Sequence, residues 1–399
     1  MFILIIHNKY GRHSGEESVV YAQEKLLTSN GHRVQSYFRS SETIAGIKGQ
    51  TNAFFSGFFN RKSYRDIEEL LQNGPVPDII HIHNLYPLIS PAVLHLLRRN
   101  GIPIVMTVHN YRLICPNGLY FTHGEICERC NGGREWNCIL RNCERSLFKS
   151  TGYALRNAFA RLRGSYRETV SKFICLTDFQ RGKLAENGFP SARITVIPNF
   201  SDSGLSGTED RSSGDHGIFV GRLNNQKGFD LLVDAMKILE GASNPYGTVR
   251  IIAAGKEDPD FIRTLDLPGN ILRKGNLDPG DLENLYLASR FLVFCSKSYE
   301  GFPMVFLEAM KYGIPVIAPR LGAFPEIIED GVNGLLFEPG NADDLAAKIQ
   351  TLWHDPERST RMGATGNLRL REKYSPERYY TELMKIYEEV TFKPSRNER

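Results

Sequence analysis

No run of eighteen apolar residues occurs in the 399-residue chain, which excludes a membrane-spanning helix of the usual kind. No basic stretch precedes the apolar opening MFILIIH, and no small-residue cleavage site follows it. The opening therefore reads as a first buried strand and not as a secretory signal, and the expected location is cytoplasmic. No nucleic-acid-binding motif is present, and the net charge is a mild +4, so nucleic acid is not an expected partner. What remains is ordinary for a soluble globular protein, with 41% hydrophobic and 24% charged residues. The length points to two domains or three.

The distribution of charge says more than its sum. Between Arg134 and Lys172 there are nine Lys or Arg against three Glu. The stretch FFSGFFNRKSYR, from Phe54 to Arg65, mixes aromatic and basic residues. Either segment is a solvated basic face, or a patch that rests peripherally on an anionic membrane or meets an acidic partner.

Strand and helix signals alternate along the first half. Strands are expected at MFILIIH, DIIHIHN, PIVMTVHN, KFICLTD and ITVIPNF, with helices between them. Ser14 and Glu17 form a capping-box pattern ahead of the first helix, and Gly31 closes it. The polar stretch SDSGLSGTEDRSSGDHG (201–217) reads as a linker or hinge. The alternation then restarts with GIFVGRL, TVRIIAAG, NILRKG, RFLVFCS, IPVIAP and NGLLFEP. Apolar strands separated by helices imply parallel sheets covered on both faces. The expected fold is α/β, with two doubly wound, Rossmann-like domains facing a cleft: residues 1–200 on the acceptor side and 201–374 on the donor side. A final amphipathic helix within 375–399 is expected to cross back onto the first domain. Ligands in such sheets bind beyond the carboxyl ends of the strands.

The segment EGFPMVFLE carries two glutamates, Glu300 and Glu308, among apolar residues. It follows a strand and opens a helix, with Pro303 suited to the first turn. Free N–H groups and the helix dipole at that turn favour an anion. A carboxylate can accept bonds from two neighbouring hydroxyls, as a sugar or ribose offers. Arg222 follows the strand GIFVG and Lys227 precedes a helix, so both can meet one diphosphate. A phosphate flanked by two hydroxyl-bearing rings describes a nucleotide sugar. The plainer alternative is two surface cations near a turn.

These residues, GRL…QKG…D and then SKSYEGFPMVFLEAMKYGIPVIAPRLGAFPEIIEDGVNGLLFEPGNADDLA, resemble the second domain of retaining glycosyltransferases of family 4, which have the GT-B fold (glycosyl transferases group 1). The similarity is close from Gly217 to about Ile349. It implies that Glu300 lies against the donor sugar, Glu308 binds the donor ribose, and Arg222 and Lys227 stabilise the departing diphosphate. Gly301, Phe302, Pro303, Met304 and Val305 would touch sugar and phosphate, through backbone N–H groups where they have one. Such enzymes need no catalytic metal, and no Asp-x-Asp motif lies near these segments. Cations placed where charge develops lower the barrier as well as the binding energy.

The first domain resembles the family less closely. Ser14 replaces one of the usual paired glycines after the first strand, while Gly15 remains for close backbone approach to the donor. The resemblance assigns His109 to the donor sugar near the reacting centre; a structural, hydrogen-bonded histidine is the alternative. His81 and His83 share one face of a strand, and His83 is a candidate acceptor-binding residue. The family is described by a front-face route, in which a diphosphate oxygen takes the acceptor proton.

Cys127, Cys130, Cys138 and Cys143 fall within seventeen residues and begin with C-x-x-C spacing. This pattern fits a structural zinc knuckle, with Cys115 as core or alternate ligand; reduced thiols, or disulfides outside the cytosol, are the alternatives. The functional expectation is sugar transfer from a UDP-sugar, in preference to a GDP-sugar, to a saccharide or lipid-linked acceptor. The base would be framed by Gly255–Lys256 and Arg273–Lys274. A nucleotide-sugar epimerase or phosphorylase on the same fold, or a non-catalytic binding module, is the alternative.

Overall fold

The computed structural model describes residues 1–9, 15–41, 57–202, 214–240 and 247–392. The chain divides into two units: Met1–Thr122, Cys127–Asn199 and Pro376–Arg399 form the first, and His123–Ile126 with Phe200–Ser375 form the second. Most of the expected 201–217 hinge and Ser14 lie outside the described residues.

The first stretch of chain runs β1 (Phe2–Lys9), α1 (Gly15–Ser29), β2 (Arg33–Ser40), α2 (Arg61–Asn73), β3 (Ile79–Asn84), α3 (Ala92–Arg99) and β4 (Ile104–Val108). A small ribbon, β5 (Phe121–Thr122) and β6 (Glu125–Ile126), follows, then α4 (Trp136–Leu140), α5 (Leu147–Leu162), β7 (Lys172–Cys175), α6 (Asp178–Glu186) and β8 (Ile194–Val196). The six-stranded sheet of unit 1 has the order β2-β1-β3-β4-β7-β8, and every pairing is parallel. β3 and β4 are buried along their whole lengths, as strands covered on both faces are; β4, IVMTV, is apolar but for Thr107, whereas β3, IIHIHN, also buries His81, His83 and Asn84.

Among the elements that escape the sequence reading are β2 and α2. β2, RVQSYFRS, is an edge strand with half-exposed residues, so it lacks the apolar run of its neighbours. α2 occupies the end of the basic aromatic stretch; Asn60 caps it by accepting from the Ser63 N–H at 2.8 Å, and it buries Ser63, Ile67 and Leu71. The C-terminal helix, Pro376–Thr391, packs on unit 1, where the Tyr379 hydroxyl donates to Gln23 Oε1 and the Tyr387 hydroxyl lies 2.6 Å from His81 Nδ1.

Unit 2 contains β9 (His216–Val220), α7 (Phe229–Glu240), β10 (Ile251–Ala254), α8 (Pro259–Arg263), β11 (Ile271–Gly275), α9 (Pro279–Leu287) and β12 (Ser289–Val293). It continues with α10 (Met304–Lys311), β13 (Val316–Pro319), α11 (Phe324–Ile327), β14 (Gly334–Phe337), α12 (Ala342–His354) and α13 (Pro356–Lys373). Its parallel sheet has the order β11-β10-β9-β12-β13-β14. Asp-Pro pairs start α8, α9 and α13: the aspartate caps a backbone N–H and the proline occupies the first turn, where no N–H is needed. Phe219, Phe229, Phe291, Phe337 and Trp353 centre the core.

Each sheet reverses its winding once. In unit 2 the reversal lies between β9 and β12, and in unit 1 between β1 and β3. A crevice opens beyond the carboxyl ends of the strands at such a point, and ligands bind there.

Candidate functional site

In unit 2 the loop after β9 and the loop after β12 converge at the reversal. Gly228 makes this possible: its φ is +69°, and a Cβ there would lie 2.0 Å from the Cys295 carbonyl oxygen. That close approach lets the Lys227 backbone N–H donate to Asn224 Oδ1 at 2.9 Å, and the Lys297 N–H donate to the Gln226 carbonyl at 3.0 Å. The side chains then lock the two loops together. Gln226 donates to the Ser298 hydroxyl at 3.1 Å, and Lys297 pairs with Asp230 at 2.5 Å. Lys227 Nζ reaches Glu300 Oε1 at 2.7 Å, with both side chains about four-fifths buried. Arg222 donates to Gln226 Oε1 at 3.2 Å. Arg222, Lys227 and Glu300, separated by up to 78 positions in sequence, are thus joined through Gln226, Ser298 and one ion pair.

Beyond Glu300, Gly301, Phe302 and Pro303 are buried, and Phe302 packs on Tyr374. Pro303 sits one position earlier than the first helical turn: its ψ of 111° keeps it extended, and α10 starts at Met304 and Val305, both half-buried. Glu308 accepts from the Tyr286 hydroxyl at 2.6 Å. Burial pushes its carboxyl above the usual range, against the pull of Tyr286 and Lys311. Tyr286 stacks on Tyr312 and positions the Glu308 carboxylate; nothing in EGFPMVFLE signals it.

In unit 1 four histidines gather at the reversal. His83 Nδ1 and His109 Nε2 are 2.8 Å apart, with their rings stacked. His81 stacks on His83, and His7 meets His83 edge-on. His81 is tied to Gln23, Tyr387 and Thr107, which gives it a structural role. Burial holds all four imidazoles neutral: His7 is lowered to about 4, His81 and His109 to about 3, and His83 further below its usual value. A neutral His109 donates or accepts a hydrogen bond but carries no proton to give as an acid. Gly15 is exposed at the start of α1, and residues 10–14 before it are outside the described residues.

His83 and His109 also line a pocket with Tyr86, Arg112, Arg156 and Tyr166. The Arg112 and Arg156 guanidinium carbons lie 4.4 and 3.9 Å from the centre of the Tyr86 ring. The loop is built around Arg112: Gly118 has φ +77°, and a Cβ there would come within 2.6 Å of Arg112 Cγ. Arg112 Nη1 is buried without a hydrogen-bond partner. Neither arginine forms an ion pair among the described residues, although Glu144 lies in the field of Arg112. Arg112 lies two positions after the His109–Asn110 pair that follows β4, a signal that was available in the sequence.

The five cysteines between 115 and 143 all lie in unit 1. Cys130 and Cys138 are buried with Ala154, and Cys143 packs against them. A thiol hydrogen bond from Cys138, with help from Thr122 and Arg141, lowers Cys143 to about 6, while Cys138 is pushed up. Cys127 is half-buried and lies in the field of Cys130, and its backbone N–H donates to the Tyr120 carbonyl at 2.8 Å. Among the described residues no group of three or more His, Cys, Asp or Glu is placed to hold a metal, and all seven cysteines are free thiols.

The chain is similar to known proteins. The family model described as glycosyl transferases group 1 matches residues 215–369, and that described as glycosyltransferase family 4 matches residues 13–204. An uncharacterized glycosyltransferase of Methanocaldococcus jannaschii is 30% identical over 307 residues, covering 75% of this chain and 84% of that protein. The D-inositol 3-phosphate glycosyltransferase of Thermobifida fusca is 26% identical over 308 residues, covering 72% of this chain and 64% of that protein. Among solved structures, Anabaena HepE in complex with UDP superposes with a TM-score of 0.66 at 17% identity, covering 98% of this chain and 100% of that one. Sucrose-phosphate synthase from Thermosynechococcus elongatus gives 0.71 at 17% identity, covering 98% of each. The two parallel-sheet units are those of the GT-B fold, and the chain belongs to the glycosyltransferases.

Proposed function

We propose that the protein transfers a sugar, with retention of anomeric configuration, from a UDP-sugar to a saccharide or lipid-linked acceptor. The observation that carries this reading is the convergence of Arg222, Lys227 and Glu300 at the sheet reversal of unit 2. Donor binding replaces the Lys227–Glu300 pair: the ammonium turns to the diphosphate and the carboxylate accepts sugar hydroxyls. Glu308, oriented by Tyr286, takes the ribose hydroxyls. In the transfer step the bond from C1 to the diphosphate oxygen breaks and a bond from C1 to the acceptor oxygen forms on the same face. The acceptor proton passes to the departing diphosphate. Lys227 and Arg222 balance the charge that develops there, an electrostatic contribution that needs no metal ion. His109, neutral at ordinary pH, offers a hydrogen bond and not a proton.

UDP is favoured over GDP because the solved neighbour HepE is described in complexes with UDP and UDP-glucose. The pocket holding Arg112 and Arg156 suits an acceptor bearing a phosphate, since the half-buried Arg112 and the buried Arg156 form no ion pair with a carboxylate among the described residues. Incubation with UDP-sugars and a panel of phosphorylated and neutral acceptors tests the reading. The expected product keeps the donor's anomeric configuration, forms equally with a chelator present, and is lost in Glu300→Ala. An inverted product, or undiminished transfer by Glu300→Ala, would overturn it.

A further inference from the structure

The two basic aromatic segments lie about a hundred positions apart in sequence, yet they meet in unit 1: the Phe58 ring packs edge-on against Phe159 of α5, with centroids 5.7 Å apart. α5 buries Ala154 and Ala160 on its inner side. Its outer side carries Phe148, Leu155, Phe159 and Leu162, all exposed, with Leu155 at 46% and Leu162 at 77%. Their spacing of 7, 4 and 3 residues places them within about 60° of arc on a helix. Leu147 at the start of α5 is also exposed, as are Trp136 and Leu140 on α4, which packs against it. Single exposed apolar residues are normal, but an ordered stripe of this size is not.

The charges beside the stripe are mostly basic. Arg145, Lys149 and Arg163 are exposed, and Arg163 covers the Phe159 ring at 5.1 Å. Across 134–172 bases outnumber acids by nine to three. Among the described residues no helix is long and apolar enough to cross a bilayer. An apolar stripe flanked by Lys and Arg matches a helix lying in the plane of a bilayer, with its apolar side in the acyl boundary and its bases on lipid phosphates.

We propose that α5, with Phe58 and the Trp136–Leu140 turn beside it, docks unit 1 on an anionic lipid surface. The surface does not depend on the sugar-transfer reading. It would bring a lipid-linked acceptor and the enzyme into one plane, but docking requires no turnover.

Co-sedimentation with vesicles tests it, using the full chain. Vesicles of phosphatidylcholine mixed with phosphatidylglycerol are expected to carry the protein down, and phosphatidylcholine alone is not. Binding weakens as salt rises, and Trp136 emission shifts to the blue on docking. Leu155→Glu with Leu162→Glu lowers vesicle affinity at least about tenfold, equivalent to a loss of about 1.4 kcal/mol. Both side chains are exposed, so folding is retained, and UDP binding by the variant serves as the control. If UDP binds to neither form, the donor assignment fails while the vesicle result still stands. Equal binding to neutral vesicles, no binding to anionic ones, or an unaffected double variant would overturn the proposal. So would sedimentation showing that the stripe joins two copies of the chain and leaves vesicles unbound.

Discussion

Lys227 and Glu300 stand 73 positions apart in sequence and form a 2.7 Å ion pair. Each follows a different strand, and the two strands are neighbours only because the sheet winds first one way and then the other. The pair is one-fifth exposed, and the cost of taking two charges out of water offsets its Coulomb gain, so its net contribution to stability is small. Its catalytic contribution is expected to be larger. Glu300→Ala should lower transfer by roughly 10²–10³-fold, the loss typical of a group that acts in the transition state, while the melting temperature moves by only a few degrees. A large fall in melting temperature with normal turnover would make Glu300 a structural residue.

The histidine cluster predicts an acid-sensitive fold. In the unfolded chain each imidazole protonates near 6.5, whereas in the folded chain His7 titrates at about 4 and His81 and His109 at about 3. Below pH 6.5 the unfolded state binds more protons, so stability is complete above that pH and falls on acidification. Each buried histidine contributes a slope of about 1.4 kcal/mol per pH unit through this window. Urea midpoints measured from pH 8 to pH 5 should hold steady and then drop. A midpoint that rises towards pH 5 contradicts the neutral assignment.

Much of this was legible in the sequence, and the exceptions have physical causes. Most strands buried on both faces announced themselves as apolar runs, and Glu300 and Glu308 stood out against the apolar residues between them. β2 was hidden because an edge strand needs no continuous apolar face. Tyr286, Gln226 and Ser298 were hidden because their work is pairwise across the fold, and spacing along the chain carries no trace of it. The cysteines were legible only in part: C-x-x-C spacing is compatible with a metal, but it does not foretell that Cys130 and Cys138 are buried while Cys127 and Cys143 are half-buried.

The C-terminal helix is fastened by the Tyr387 hydroxyl on His81 Nδ1 and the Tyr379 hydroxyl on Gln23. Tyr387→Phe removes one buried hydrogen bond and should cost about 1–2 kcal/mol. The helix lies on unit 1, so nucleotide affinity should be unchanged. Calorimetric titration that shows weakened UDP binding in this variant would contradict the assignment of the nucleotide to unit 2.

Gly228 holds the left-handed turn that delivers Lys227. Gly228→Ala forces a Cβ onto the Cys295 carbonyl, against backbone that has no easy retreat. A loss of roughly 2–4 kcal/mol is expected by chemical denaturation, together with weaker diphosphate binding as Lys227 shifts. A variant as stable as the wild type would show that the two loops do not approach so closely.

The most direct test of the donor site is calorimetric titration of UDP, GDP and ADP into the wild type and into Lys227→Ala. The account predicts that the wild type binds UDP, and that Lys227→Ala binds it at least about tenfold more weakly, as loss of a charge-assisted hydrogen bond implies. Equal UDP affinity in the two proteins, or no affinity of the wild type for any of the three diphosphates, would contradict it.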